Sequence, residues 1–160
     1  MMLTVRQSIA ARIRALMRPE SEGGALVELS LTLPIVFLLM TGIFAFSIAL
    51  YQKLELAEAV SAGGRTLAVD RGDTDPCKTT ASAIYAAAPT LTQSSISLTF
   101  VLNGVSTTGA SCPGVLGTAN ANMVSGSSAE VEASYPCMIK MYGLKFSNCS
   151  LGSEVTEMVQ

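Results

Sequence analysis

The sequence predicts an α+β protein: one long N-terminal helix crosses a membrane and continues outward into a small head with a short antiparallel sheet and a second short helix. Three observations predict it. From Leu29 to Gln52 no side chain is charged, and at about 1.5 Å per residue such a run exceeds the ~30 Å hydrocarbon core of a bilayer. Beyond it, two segments alternate apolar and polar residues as half-buried strands do. All four cysteines, Cys77, Cys112, Cys137 and Cys149, follow the apolar run, on the side where disulfides persist.

Composition supports the membrane reading. The 160 residues are 49% hydrophobic and only 14% charged, against about 25% charged in an ordinary soluble domain. Net charge is −2, but its layout is lopsided. Arg6, Arg12, Arg14 and Arg18 outnumber Glu20 and Glu22 ahead of the run, whereas the rest of the chain is acidic. Basic residues stay on the cytoplasmic side, so the N-terminus is expected in the cytoplasm and the head outside. A secretory signal peptide is the blander alternative, with Ala45-Phe46-Ser47 as a small-x-small site; its apolar region normally spans only about 7 to 15 residues. No basic stripe with interleaved aromatics is present, and nucleic acid is excluded as a partner.

Past the membrane, "KLELAEAVSAGGRTLAVDRG" keeps Leu54, Ala57, Val60, Leu67 and Ala68 at helical spacing. The crossing helix should therefore extend from about Gly24 to Asp70, weakened locally at Gly63 and Gly64 and stopped by Gly72. Asp75-Pro76 reads as the N-cap and first position of a short helix ending near Pro89, with Cys77, Ala81, Ile84, Tyr85 and Ala88 on one face. "SISLTFVL" puts Ile96, Leu98, Phe100 and Leu102 on one side of a strand. "AEVEASYP" does the same with Val131, Ala133 and Tyr135. "LGSEVTEMVQ" is a less clean third strand, because Glu157 shares a face with Leu151, Val155 and Val159. Between the first two lies a Gly/Ser/Thr/Asn-rich stretch, Asn103 to Ser128, expected as a surface loop tethered by Cys112. The outward half of the long helix is the available cover for the sheet.

Four cysteines allow three pairings; nearness along the chain favours Cys77 with Cys112 and Cys137 with Cys149. A zinc site would need spacing such as C-x-x-C or histidine partners, and neither occurs. Neither metal nor cofactor is expected. The absence of histidine also removes ordinary triads and histidine acid–base chemistry, and no enzymatic function is expected. Glu55 with Glu58, and Asp73 with Asp75, read as solvated helix-end and turn charges rather than a cation site. Arg71-Gly72-Asp73 spells an adhesion tripeptide at a helix stop, where the turn reading is preferred. Asn148-Cys149-Ser150 matches a short glycosylation pattern that recurs by chance.

Glu28 stands out, an acid at the mouth of the apolar segment. A glutamate in the first turns of a helix is favoured by the dipole, and a membrane-edge position reduces the ~2.5–3.5 kcal/mol cost of a mid-bilayer charge. Its neighbours point further. A basic leader, then Gly23, four residues, Glu28, Leu29 and a long uncharged helix resemble the signal of Flp-type and TadE-like prepilins, G-x-x-x-x-E followed by an aromatic or apolar residue. The likeness continues through "ALVELSLTLPIVFLLMTGIFAFSIALYQKLELAEAVSAGGRTLA" and, more weakly, "VEASYP" and "EVTEM".

The resemblance implies several things. A membrane-embedded prepilin peptidase would cut on the cytoplasmic side between Gly23 and Gly24, making Glu28 the fifth mature residue; a cut after Gly24 would make it the fourth. Residues 1–23 would be a leader, 24–52 the crossing helix, 53–72 its extension and 73–160 the head. The location would be the bacterial inner membrane, with a periplasmic head that can enter a surface pilus. Membrane lipid and other pilin or pseudopilin subunits would be the partners. Leu29 departs from the aromatic common after the glutamate, and the length of the head points to a minor pseudopilin rather than a major pilin. Pro34 removes one helical hydrogen bond and fits either a flexible stalk or a tolerated membrane proline; Gly42 alone is a weak packing signal. The alternative reading is an unprocessed, anchored envelope protein with a binding head.

Overall fold

Apolar residues at every turn and no helix breaker except Pro34 make Ser21–Val69 one continuous helix, α1. The computed structural model describes residues 21–112, 122–137, 140–141, 144–145 and 149–160; Arg6, Arg12, Arg14, Arg18 and Asn148 lie outside them. The chain divides into two units, Met1–Gly42 and Ile43–Gln160, taken in turn.

In the first unit, α1 presents apolar side chains on all sides. Every large apolar residue from Leu26 to Met40 is exposed, from 48% at Leu33 to 67% at Leu26. The few hydroxyls there fold back on the helix: Ser30 donates to the Val27 carbonyl at 2.8 Å, Thr32 to that of Glu28 at 2.9 Å and Thr41 to that of Phe37 at 2.9 Å. Satisfying polar groups within the segment is what a hydrocarbon surrounding demands. Pro34 has no N–H, which leaves the Ser30 carbonyl without its usual helical donor. Among the described residues α1 is the one helix long and apolar enough to cross a membrane.

In the second unit, α1 continues as an exposed apolar helix through Leu54 and then changes character. Leu56, Ala59, Val60, Gly63, Gly64, Leu67 and Ala68 are buried, a stripe at i, i+3, i+4 spacing. The expected face is corrected here: Leu54 is 63% exposed and Ala57 only half-buried. The stripe runs through the glycine pair. Counting Gly63 and Gly64 only as weak helix formers hides their apolar, close-packing role.

Asp73 and Asp75 flank the turn into the second helix, α2, Pro76–Ala87, which buries Pro76, Cys77, Thr80, Ala81 and Ile84. A 3-10 turn at Gln93–Ser95 leads to the strands β1 (Ser97–Leu102), β2 (Val105–Thr108), β3 (Ser128–Pro136), β4 (Lys140–Met141), β5 (Leu144–Lys145) and β6 (Ser150–Met158). Four of them form an antiparallel sheet in the order β2-β1-β3-β6, and β4 pairs with β5 separately. The expected alternation holds: Leu98, Phe100 and Leu102 on β1, and Ala129, Val131, Ala133 and Tyr135 on β3, are buried against α1 and α2. The third expected strand is β6, nine residues paired in full with β3. Glu157 does share its inner face with Leu151 and Val155 and is half-buried there.

The stretch from Asn103 to Ser128 is not a plain loop. Asn103 and Gly104 have φ of 50° and 82°, the left-handed pair of a two-residue type I′ hairpin, and they turn β1 directly into β2 with Leu102 opposite Val105. Further on, Met123 is buried in the core.

Close approach fixes how α1 meets the rest of the head. A β-carbon at Gly63 would collide with Ile84 of α2, standing 2.8 Å from its Cδ1, and one at Gly64 would stand 2.5 Å from Val155 Cγ1 of β6. Gly63→Ala and Gly64→Ala should each destabilise the head by about 1–3 kcal/mol through overpacking, measured as a lower midpoint in denaturant unfolding of the detergent-solubilised chain. Gly42→Ala, where the added methyl meets nothing within 4 Å, should leave that midpoint unchanged.

Candidate functional site

The residues expected to act in processing and assembly fall on the first unit. Gly23 and Gly24 are inside α1; Gly24 and Glu28 are exposed, and Leu29 is 56% exposed. Gly24 and Glu28 are four residues apart and therefore share one helix face. A charged group at either position can meet a neighbouring helix without crossing its own.

The second unit carries polar contacts that composition did not reveal. Lys53 and Glu55 are the first charges after the apolar run. The Lys53 ammonium donates to the Gly152 carbonyl on β6. The Glu55 carboxylate accepts the Thr90 N–H at 2.9 Å and also the Thr90 hydroxyl, which holds the segment between α2 and β1. Glu55, half-buried, is thus more than a solvated helix-end charge: it also holds Thr90 in place. The one available signal was its position, one turn before a buried stripe.

At the other end of the same helix three aspartates differ in environment. Asp75 caps α2: its Oδ1 accepts the Lys78 N–H at 3.1 Å and the Cys112 N–H at 3.0 Å, and its Oδ2 accepts the Ser111 hydroxyl at 2.6 Å. Burial pushes its carboxyl up, but the bonds from Ser111, Cys112 and Lys78 outweigh it, and its pKa is lowered. Asp73 is lowered by the Thr79 hydroxyl and the Thr74 N–H. That carboxylate is held inside the turn, as the turn reading of Arg71-Gly72-Asp73 expects, with Gly72 at φ 100°. Asp70 goes the other way, raised by burial and by the nearby Asp73 charge; its Oδ2 is buried without a hydrogen-bond partner. Among the described residues no His/Cys/Asp/Glu cluster suits a metal ion.

The cysteines close two loops. Cys77 on α2 is joined to Cys112 with Cα atoms 5.4 Å apart, and Cys137 at the end of β3 to Cys149 before β6 with 5.1 Å. Asp75 and the first disulfide act on the same place, because the Asp75 carboxylate binds the backbone of Cys112. The second disulfide closes the β4–β5 hairpin onto the paired ends of β3 and β6, where the Cys137 N–H also donates to the Cys149 carbonyl at 3.0 Å.

A helix of membrane-crossing length whose last turns form the core of a disulfide-closed α+β head is consistent with a single-pass membrane protein. Residues 23–65 match the family model described as TadE-like protein. The match covers about a quarter of the chain, from Gly23 through the apolar helix to Arg65, and the likeness it shows is confined to that segment. No curated protein and no solved structure matches the chain.

The aspartates make acid stability a test of the geometry. A lowered native pKa stabilises the fold above the unfolded value and is lost as pH falls through the native one; Asp75 therefore supports the head at neutral pH and begins to lose that support below about pH 4. Asp70, raised, has the opposite sign, its cost disappearing on acidification. Asp75→Ala should lower stability at pH 7 by about 1–2 kcal/mol and reduce the acid-labile component of the unfolding free energy, whereas Asp70→Asn should raise stability at pH 7. Denaturant titrations between pH 3 and 7 read both.

Proposed function

We propose that this chain is a minor pseudopilin of a Tad pilus or secretion system. A prepilin peptidase cuts between Gly23 and Gly24 on the cytoplasmic side of the bacterial inner membrane and removes residues 1–23. Residues 24–52 cross the membrane, 53–72 extend the helix, and 73–160 form a periplasmic head that enters or primes a filament. The observation that carries this reading is the extent of the TadE-like match: it opens at Gly23 and runs through the apolar helix to Arg65, just past the glycine pair.

Cleavage would create an ammonium at Gly24. In low dielectric neither that charge nor the Glu28 carboxylate is stable alone, and each favours an opposite charge on an adjoining helix. Because four helical residues rise about 6 Å, pairing the amine of one subunit with the carboxylate of the next sets their axial offset near that value. A buried pair of this kind specifies register more than it adds net stability.

Intact mass of the chain from its native membrane tests the processing step. Loss of residues 1–23 is expected; a full-length product would return the protein to the anchored binding class. Glu28→Ala should leave cleavage largely intact yet cut incorporation into filaments by more than about tenfold, since an unpaired buried charge costs about 3–5 kcal/mol. Unchanged filament number in that variant would remove the pairing step.

A further inference from the structure

β6 lies at the edge of the sheet, and three hydrogen bonds fix which of its backbone groups face outward. Cys149 accepts from Cys137, Val159 donates to Ser127 and accepts from Gly126, so the odd-numbered residues of this stretch bond inward. In an antiparallel ladder bonded and non-bonded residues alternate. The even-numbered residues therefore turn their N–H and C=O away from the sheet. Two contacts from α1 agree with that assignment: Lys53 binds the Gly152 carbonyl, and the Gln160 N–H donates to the Ala68 carbonyl at 3.0 Å. α1 thus closes both ends of the edge. Between them, Glu154, Thr156 and Met158 are exposed, with no partner for their outward backbone groups among the described residues.

Natural edges are blunted by proline, bulges, charged side chains, inward-pointing charges or a covering helix; β6 carries charge at Glu154 and, facing inward, at Glu157, which discourages pairing with a like-charged strand. It has neither proline nor bulge between Ser150 and Met158, and its pairing with β3 runs without interruption. The outer face beside it is acidic. Glu132 stands directly opposite Glu154, and Glu130 opposite Thr156; like charges placed so are destabilising. Lys53 lines a hollow with Glu132 and Glu154 at one end of the edge and keeps its charge while donating to the Gly152 carbonyl, so it offsets part of that first row. The next row, at Glu130 and Thr156, has no basic side chain on β1, β3 or β6.

We infer that the open middle of β6 accepts an extended segment of another protein as a fifth strand, and that this segment carries lysine or arginine at alternate positions. Its backbone would pair with Glu154, Thr156 and Met158. One basic side chain would then stand beside Glu154, across the row from Glu132, and the next beside Thr156 within reach of Glu130. A second copy of β6 does not fit this chemistry, because it brings Glu154 and Glu157 rather than cations. The inference concerns the head alone and is independent of whether Gly23 is cleaved.

The test uses the full chain in non-ionic detergent and a synthetic seven-residue peptide alternating lysine with valine and threonine. Expected are saturable binding by fluorescence anisotropy and slowed amide hydrogen exchange at Glu154, Thr156 and Met158. Thr156→Pro removes an outward N–H that an edge strand can lose without unfolding, and should weaken binding at least tenfold with an unchanged unfolding midpoint. Should that variant fail to fold, Glu132→Gln combined with Glu154→Gln decides instead, with an expected loss of about tenfold and a flatter salt dependence. Equal binding of a peptide with glutamate in place of lysine, protection confined to other amides, or no binding overturns the proposal. So does a peptide-free dimer in which the same three amides are already protected, since the occupant would then be a second copy.

Discussion

The head depends on one close approach. At Gly63 and Gly64 the backbone of α1 meets Ile84 of α2 on one side and Val155 of β6 on the other, at separations where a β-carbon would force those side chains to move. A glycine in a helix interior costs about 1 kcal/mol relative to alanine. Two in succession are tolerated because the contact they allow places Leu56, Val60 and Leu67 into the same core as Phe100, Val131 and Ala133. Remove the approach and α1 would stand off from the sheet, leaving the inner faces of β1 and β3 without their cover.

Around that contact the polar groups act as positional constraints. Lys53 ties α1 to β6, Glu55 ties it to the segment before β1, and the Ala68 carbonyl takes the N–H of Gln160. Within the second unit, fixing α1 at Lys53, Gly64 and Ala68 sets the line of that part of the helix along β6. The disulfides and Asp75 secure what α1 does not reach: the start of α2, the segment at Cys112 and the ends of β3 and β6. Each reduces the freedom of the unfolded chain, on the order of 3–4 kcal/mol per disulfide in the chain-entropy model for loops of this size. A head this small has little apolar area with which to offset that entropy otherwise.

Most of this architecture is legible from local pattern, because helix capping, strand alternation and the length of an apolar run are decided within a few residues. Asp75-Pro76 marks the start of α2, and Ile96 to Leu102 and Val131 to Tyr135 give their faces by period two. The pairing of Cys77 with Cys112 and of Cys137 with Cys149 follows nearness along the chain. What escaped was settled by contact between distant segments. Gly63 and Gly64 look like flaws until Ile84 and Val155 are beside them; Glu55 looks solvated until Thr90 folds against it. Asn103-Gly104 was the exception, a strong hairpin signal in the sequence itself, overlooked because the polar residues after it read as loop. For the segment proposed to act in assembly, the motif is legible in the sequence and the structure adds its helical setting, with Gly24 and Glu28 on one face.

The two units meet the same requirement, that backbone and side-chain polar groups find partners, in different ways. Along the apolar part of α1 the answer is internal, apart from the Ser30 carbonyl that Pro34 leaves without its donor: helical hydrogen bonds, plus the hydroxyls of Ser30, Thr32 and Thr41 turned back onto carbonyls one turn earlier. This suits a segment surrounded by hydrocarbon, where no outside partner exists. In the head, water can serve the groups that folding leaves free, and an edge can remain open without a large penalty. The chain uses that freedom unevenly: the two ends of the β6 edge are closed by α1 itself, and among the described residues the unpaired groups are gathered at Glu154, Thr156 and Met158, beside the carboxylates of Glu130 and Glu132, which Lys53 offsets at one end only. Closure at the ends and carboxylates at the centre are also what protects an edge against indiscriminate pairing; on β6 they leave a strip of limited length whose charge would repel an acidic strand and admit a basic one.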